Sequence, residues 1–239
     1  MRFTSEHHLD DGVLERHFTL GEIPGVLWTH GSAAAPLILS GHNGGLHKRD
    51  PRLVARARHY AAEHGYAVAA IDHPGHGDRP RSAADERARA DLRRALVAGD
   101  PVDEFVDALI LPLVERAVPE WQTTLDALLA LPDIDGPVGY VGMTAVGIRL
   151  AVVEPRISAA TFFAGGFVPS ALREEARRVA VPLLFLLQWD DGMGRQPSLD
   201  LFDAFGTTQK TLHANLGGHA GTPWFEVDDA ARFLARHLT

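Results

Sequence analysis

The sequence predicts an α/β fold: a doubly wound, mostly parallel sheet with helices on both faces. Three observations carry this. From Val26 onward, short apolar runs alternate with stretches whose apolar residues recur at helical spacing. Several of the runs are apolar throughout, as strands covered on both faces are. Glycine, acid and histidine residues cluster just after those runs, where open α/β sheets bind ligands.

Taken in order, two apolar runs come first, Val26-Leu27-Trp28 and Pro36-Leu37-Ile38-Leu39. The turn-like residues 31–35 between them predict a hairpin. Asp50-Pro51 reads as a helix start, with Asp as N-cap and Pro at the first helical position. Leu53, Ala57, Tyr60 and Ala61 share one face of that helix, Arg56 and Arg58 fall outside the stripe, and Gly65 ends it. The apolar strand over 66–71 completes a βαβ unit. From 80 to 131 the pattern is helical, charged over 85–94 and apolar over 105–114, with Pro112 and Pro119 expected to kink or end turns. This excursion is expected either to cover a site in part or to pack as helices with a charged solvent face. Strands over 138–141, 157–163, 183–188 and 210–214 then alternate with helices over 145–154, 170–178, 198–205 and 223–238. No repeat or linker interrupts the pattern, so residues 1–239 are expected to form a single domain.

Composition narrows the function. With 46% apolar residues the chain can bury a sizeable core. A formal charge of −8 and no long basic tract argue against nucleic acid as a partner. Cysteine is absent, which excludes disulfides, thiolate chemistry and cysteine-bound zinc. Residues 1–21 are charged and lack the apolar core of a signal peptide, and the longest apolar runs are too short to cross a bilayer. The expectation is a cytoplasmic protein that acts on a small molecule without contacting a membrane. An edge strand or the apolar stretch 105–114 offers a surface for pairing subunits in a homo-oligomer. There is no P-loop, no Gly-x-Gly-x-x-Gly after a strand and no metal cluster, so neither cofactor nor metal is expected. His73 and His76 lack metallo-hydrolase spacing and read as parts of a structural turn.

The strand ends collect His42-Asn43-Gly44-Gly45, Asp72 to Gly77, Thr144, Asp190-Asp191 and His219. Hydroxyl, acid, histidine is the chain order of one nucleophilic triad. In these segments, from about Gly25 to the C-terminus, the chain resembles the α/β-hydrolases, in particular their dienelactone hydrolase-like and small esterase branches. Ser40 to Gly45 resembles the family's His-Gly oxyanion loop, and Asp72 to Asp78 its Asp-x-Pro-Gly-His-Gly turn. Gly142-Met143-Thr144 resembles the nucleophile elbow; Trp189-Asp190-Asp191 and Gly217-Gly218-His219 resemble the acid and histidine loops.

The resemblance implies hydrolysis of a small ester, lactone or thioester. Thr144 is the implied nucleophile and His219 its base and later acid. Asp191 orients His219, with Asp190 as the alternative acid. The backbone N–H of Ala145 and one from Asn43 or Gly44 form the oxyanion hole, each such donor contributing about 3 kcal/mol. Met143 and His42 are placed against the substrate; His42 and His47 could instead merely fix the loop. The departures are Thr144 for the family's serine and Val146 for its second glycine. An elbow nucleophile is ordinarily strained, and a β-branched residue there would add about 1–3 kcal/mol. This keeps two other readings open: a lyase, decarboxylase or isomerase that uses His219–Asp191 as acid–base, and a catalytically inactive ligand-binding protein.

Overall fold

The computed structural model describes residues 1–31, 33–163, 167–192, 194–219 and 221–238. Nine strands form one sheet: β1 (Arg2–His8), β2 (Val13–Leu20), β3 (Ile23–His30), β4 (Ala35–Ser40), β5 (Ala67–Ile71), β6 (Ile134–Met143), β7 (Ile157–Phe163), β8 (Leu183–Gln188) and β9 (Lys210–Asn215). Their spatial order is β1-β2-β3-β5-β4-β6-β7-β8-β9. Strands β4 to β9 run parallel, so their carboxyl ends share one edge; β1, β2 and β3 form an antiparallel extension that joins through β3 against β5.

One expectation needs correction here. The predicted hairpin between the first two apolar runs does not exist, because β5 lies between β3 and β4; Ser32 of the intended turn lies outside the described residues. The charged N-terminal segment, to which the sequence reading gave no element, forms the ribbon β1–β2. The side chains of β1 are largely exposed, whereas those of β2 are half-buried or buried, its Arg16 paired with Asp133 and its Glu15 with Trp28 and His17.

The helices are α1 (Pro51–His64), α2 (Ala83–Ala98), α3 (Asp103–Leu129), α4 (Thr144–Val153), α5 (Ser170–Ala176), α6 (Gln196–Ala204) and α7 (Phe225–His237). Asp50 caps α1 by accepting from the N–H groups of Arg52 and Leu53, and Gly65 ends it in the left-handed conformation (φ 68°) that favours glycine. Ser82 and Asp85 form a capping box on α2. Pro112 and Pro119 do not end α3, which continues through both for 27 residues; the buried stripe from Val106 to Leu128 holds it against the sheet. One apolar core lies between the sheet and α3, α4, α5 and α6, with Trp121, Tyr140 and Phe162 at its centre. A second lies under α1 and α7, around Trp28, Tyr60 and Phe233. No helix among the described residues is long and apolar enough to cross a membrane.

Candidate active site

The chain leaves β4 toward β5 on one side and returns to β6 on the other, so β4 and β6 flank the point where the winding reverses. There the two strands approach closely. A Cβ on Gly142 would lie 2.2 Å from the Gly41 carbonyl oxygen, and one on Gly41 would lie 2.5 Å from the Tyr140 hydroxyl. Gly142 also takes the unusual backbone conformation (φ 150°). The Tyr140 hydroxyl donates to the Met143 carbonyl at 3.0 Å, beneath the turn into α4.

Thr144 is the first residue of α4, buried at 3% exposure. No described non-glycine residue has a positive φ, so the strain expected of an elbow threonine is absent: Gly142 makes the sharp turn, and Thr144 has an ordinary backbone. The glycine requirement expected at position 146 has moved by one residue. Val146 is core, whereas a Cβ on Gly147 would meet the Phe162 and Tyr140 rings at 2.4 and 2.6 Å. No side chain caps α4. The amide N–H groups of its first turn, Ala145 included, therefore have no intrahelical acceptor and give that end partial positive charge.

The histidine and acid loops meet at the ends of β8 and β9. His219 Nδ1 lies 2.8 Å from Asp191 Oδ2, while Asp190 accepts from the backbone N–H groups of Gly217 and Gly218 at 2.9–3.2 Å. The two acids thus divide their work: Asp191 orients the ring and Asp190 holds the loop that carries it. The N–H groups of Gly218 and Gly217 keep the Asp190 carboxyl below the usual range. The His219 side chain is 57% exposed.

Thr144 and His219 line one cavity of about 620 Å³, along with Asn43, Gly44, Met143, Ala145 and Phe163. Residues of α2 and α3, among them Arg89, Leu92, Leu109 and Leu113, form part of its wall. The Thr144 hydroxyl donates to the Phe163 carbonyl at 2.5 Å and makes no hydrogen bond to His219.

His42 also lines the cavity, but both ring nitrogens are committed to backbone. Its Nε2 accepts from the His73 N–H at 3.0 Å, which places the proton on Nδ1, and Nδ1 donates to the Asn43 carbonyl at 2.9 Å. His42 therefore shapes the loop instead of offering a polar atom to substrate. His73 Nε2 accepts from Trp121, and His76 Nε2 from Arg89. Burial lowers the proton affinity of all three imidazoles, that of His76 to about 4, so they stay neutral at pH 7. Of the aromatics near strand ends, Phe163 and Trp224 line the cavity, Phe162 is core, and Trp189 and Phe225 are exposed.

No protein-family model matches the chain, and no curated protein is similar to it in sequence. Solved structures are similar. A cold-adapted esterase from an Arctic intertidal metagenomic library, solved with PEG bound, is 29% identical, with both chains covered in full and a TM-score of 0.79. Acetyl xylan esterase 1 from Thermoanaerobacterium sp. JW/SL YS485 is 14% identical over 98% of this chain and 87% of its own, with a TM-score of 0.68. The Pyrococcus furiosus esterase Pf2001 is 13% identical over 100% and 93%, with a TM-score of 0.64.

The fold is that of the α/β-hydrolases.

On that fold, Thr144 stands after β6, Asp191 after β8 and His219 after β9, while the loop after β4 supplies Asn43 and Gly44. Among the polar residues of the cavity wall that sequence reading missed are Arg56, Arg89 and Gln188. The two arginines lie on helix faces and carry no motif. Gln188, the last residue of β8, donates to Thr222, and its place at a strand end was the signal available.

Proposed function

We propose that the protein is an esterase that acts on small esters through Thr144, His219 and Asp191. One observation carries the reading. The uncapped end of α4, with Thr144 in its first turn, and His219, held by Asp191, line the same cavity. The esterases among the similar structures support the same class of reaction.

As the Thr144 oxygen bonds to the ester carbonyl carbon, His219 Nε2 takes the hydroxyl proton. Asp191 stabilises the resulting imidazolium. The carbonyl oxygen gains the negative charge and is met by the Ala145 N–H and one from Asn43 or Gly44. On collapse, the alcohol leaves with the proton from His219, and water repeats the sequence to release the acid. Thr144 must first turn its hydroxyl away from the Phe163 carbonyl.

That same hydrogen bond favours a second reading. With the hydroxyl engaged elsewhere, His219–Asp191 would act alone as acid–base, and Thr144 would only bind substrate. Intact-mass spectrometry after incubation with 4-nitrophenyl acetate separates the two. An acyl adduct that requires both Thr144 and His219 is expected. Aryl alcohol release with no adduct, at a rate indifferent to Thr144→Ala, would remove the nucleophile role.

A further inference from the structure

Arg56, in the middle of α1, lines the cavity that holds Thr144 and His219. Its guanidinium sits over the Phe163 ring at 4.6 Å from the centroid. It donates one long hydrogen bond, from Nη2 to Ser40 Oγ at 3.4 Å, and its Nε is shut off from solvent without a partner. No carboxylate of a described residue forms an ion pair with it. Asp50, whose charge is felt at Arg56, has its carboxylate engaged as the cap of α1.

A second arginine lines the same cavity from α2. Arg89 gives Nη2 to His76, a neutral ring, at 2.7 Å, and its Nε is likewise buried without a partner. Elsewhere the half-buried arginines Arg16, Arg79, Arg149 and Arg156 each face a carboxylate. Burial weakens the hold of Arg56 and Arg89 on their protons, yet a guanidinium remains charged at any ordinary pH. Two cations without an ion-pair partner therefore stand in a cavity walled by Leu92, Leu113 and Phe163, with Asp50, Asp85 and Glu86 acting on them only at a distance. A buried charge without a partner is costly, and a ligand anion removes the cost.

We propose that Arg56, aided by Arg89, is an anion subsite that receives a carboxylate carried by the substrate. This rests on the esterase reading and names its substrate class: half-esters of small dicarboxylic acids, or esters of like charge. The planar fork of a guanidinium matches a carboxylate in two parallel hydrogen bonds, which a neutral ester cannot reproduce.

The test compares 4-nitrophenyl hydrogen glutarate with its neutral counterpart, 4-nitrophenyl methyl glutarate. Wild-type protein is expected to prefer the anion by about 10- to 100-fold in kcat/KM, the span of a charge-assisted hydrogen bond. In Arg56→Met the ratio of the two esters should fall to about one, mainly through KM; Arg56→Lys should retain part of it, and Arg89→Met should lower it. A wild-type ratio at or below one overturns the subsite, whether or not the variants fold. Calorimetric titration with glutarate separates the subsite from the chemistry. Binding that needs Arg56, with no ester hydrolysed, keeps the subsite and defeats the esterase reading. Hydrolysis of both esters at equal efficiency, without glutarate binding, does the reverse.

Discussion

Substituting Thr144 by serine tests how the hydroxyl becomes a nucleophile. The Thr144 oxygen donates to the Phe163 carbonyl at 2.5 Å, and the side chain is 3% exposed. Turning the hydroxyl toward a substrate gives up that bond, a net cost of about 0.5–1.5 kcal/mol. It also swings the γ-methyl through buried surroundings, because both groups share one stiff torsion. The Thr144→Ser variant turns without moving a methyl. If the methyl holds the hydroxyl on Phe163, acylation should accelerate by about 1 kcal/mol, or roughly fivefold. Loss of the buried methyl should lower stability by about 0.8 kcal/mol. The burst of 4-nitrophenol from 4-nitrophenyl acetate in stopped flow gives the acylation rate, and urea unfolding gives the stability. Thr144→Val keeps the shape without the hydroxyl and should form no acyl adduct. A serine variant slower than wild type refutes the rotamer argument; turnover by the valine variant refutes Thr144 as nucleophile altogether.

Other outcomes follow from the same geometry. Asp191→Asn should lower kcat by orders of magnitude with the fold intact, whereas Asp190→Asn should act mainly by loosening the 217–219 loop; paired kinetics and thermal melts distinguish them. Lys48→Met should destabilise by about 3–5 kcal/mol in urea, because it strands the fully buried Asp72 carboxylate that Lys48 Nζ meets at 2.6 Å. Gly147→Ala gains about 1 kcal/mol of helix propensity but forces a methyl onto two buried rings, so a net loss of up to about 2 kcal/mol is expected by denaturant titration. Stability should fall as pH drops from about 6.5 toward 4. His76 binds its proton more weakly folded (about 4) than unfolded, so acid favours the unfolded chain until the folded ring also protonates. A urea midpoint flat across that window would contradict the buried, neutral assignment of His76.

The strands from β5 to β8 are legible in the sequence because each contains a short apolar run, β9 because the strand–helix alternation leads to it, and α1 because Asp50 and Gly65 mark its ends. The ribbon β1–β2 is not, since Glu6, Glu15 and Arg16 break up any apolar run and so imitate a loop. The order of β3, β5 and β4 is equally hidden. Gly25 finds its partner Ile71 46 positions further along the chain, a pairing that no local pattern encodes. At the site, a parallel register gathers every strand end on one edge, which is why Thr144, Asp191 and His219 could be collected from the sequence. Hydrogen-bond direction could not: the commitment of His42 to backbone and of Thr144 to Phe163 depends on neighbours distant in sequence. Arg56 is the clearest case. On the helical wheel it falls outside the apolar stripe of α1 and reads as solvent-facing, and only the folded cavity gives it a purpose.

Helix α3 joins two regions that differ in how they are held. Leu109, Ile110 and Leu113 line the cavity, while Trp121 is pinned by its bond to His73, with Leu125 and Leu128 buried beyond it. Pro112 and Pro119 have no N–H, so the carbonyls of Ala108 and Glu115 lose their helical donors. Two rungs are thus missing, one within the cavity half and one between it and the anchored half. Hydrogen exchange should therefore divide the helix, with the amides around the two missing rungs expected to exchange ahead of those over 121–128. Adjustment of the cavity wall can then draw on the missing rungs while the anchor of Trp121 on His73 stays in place.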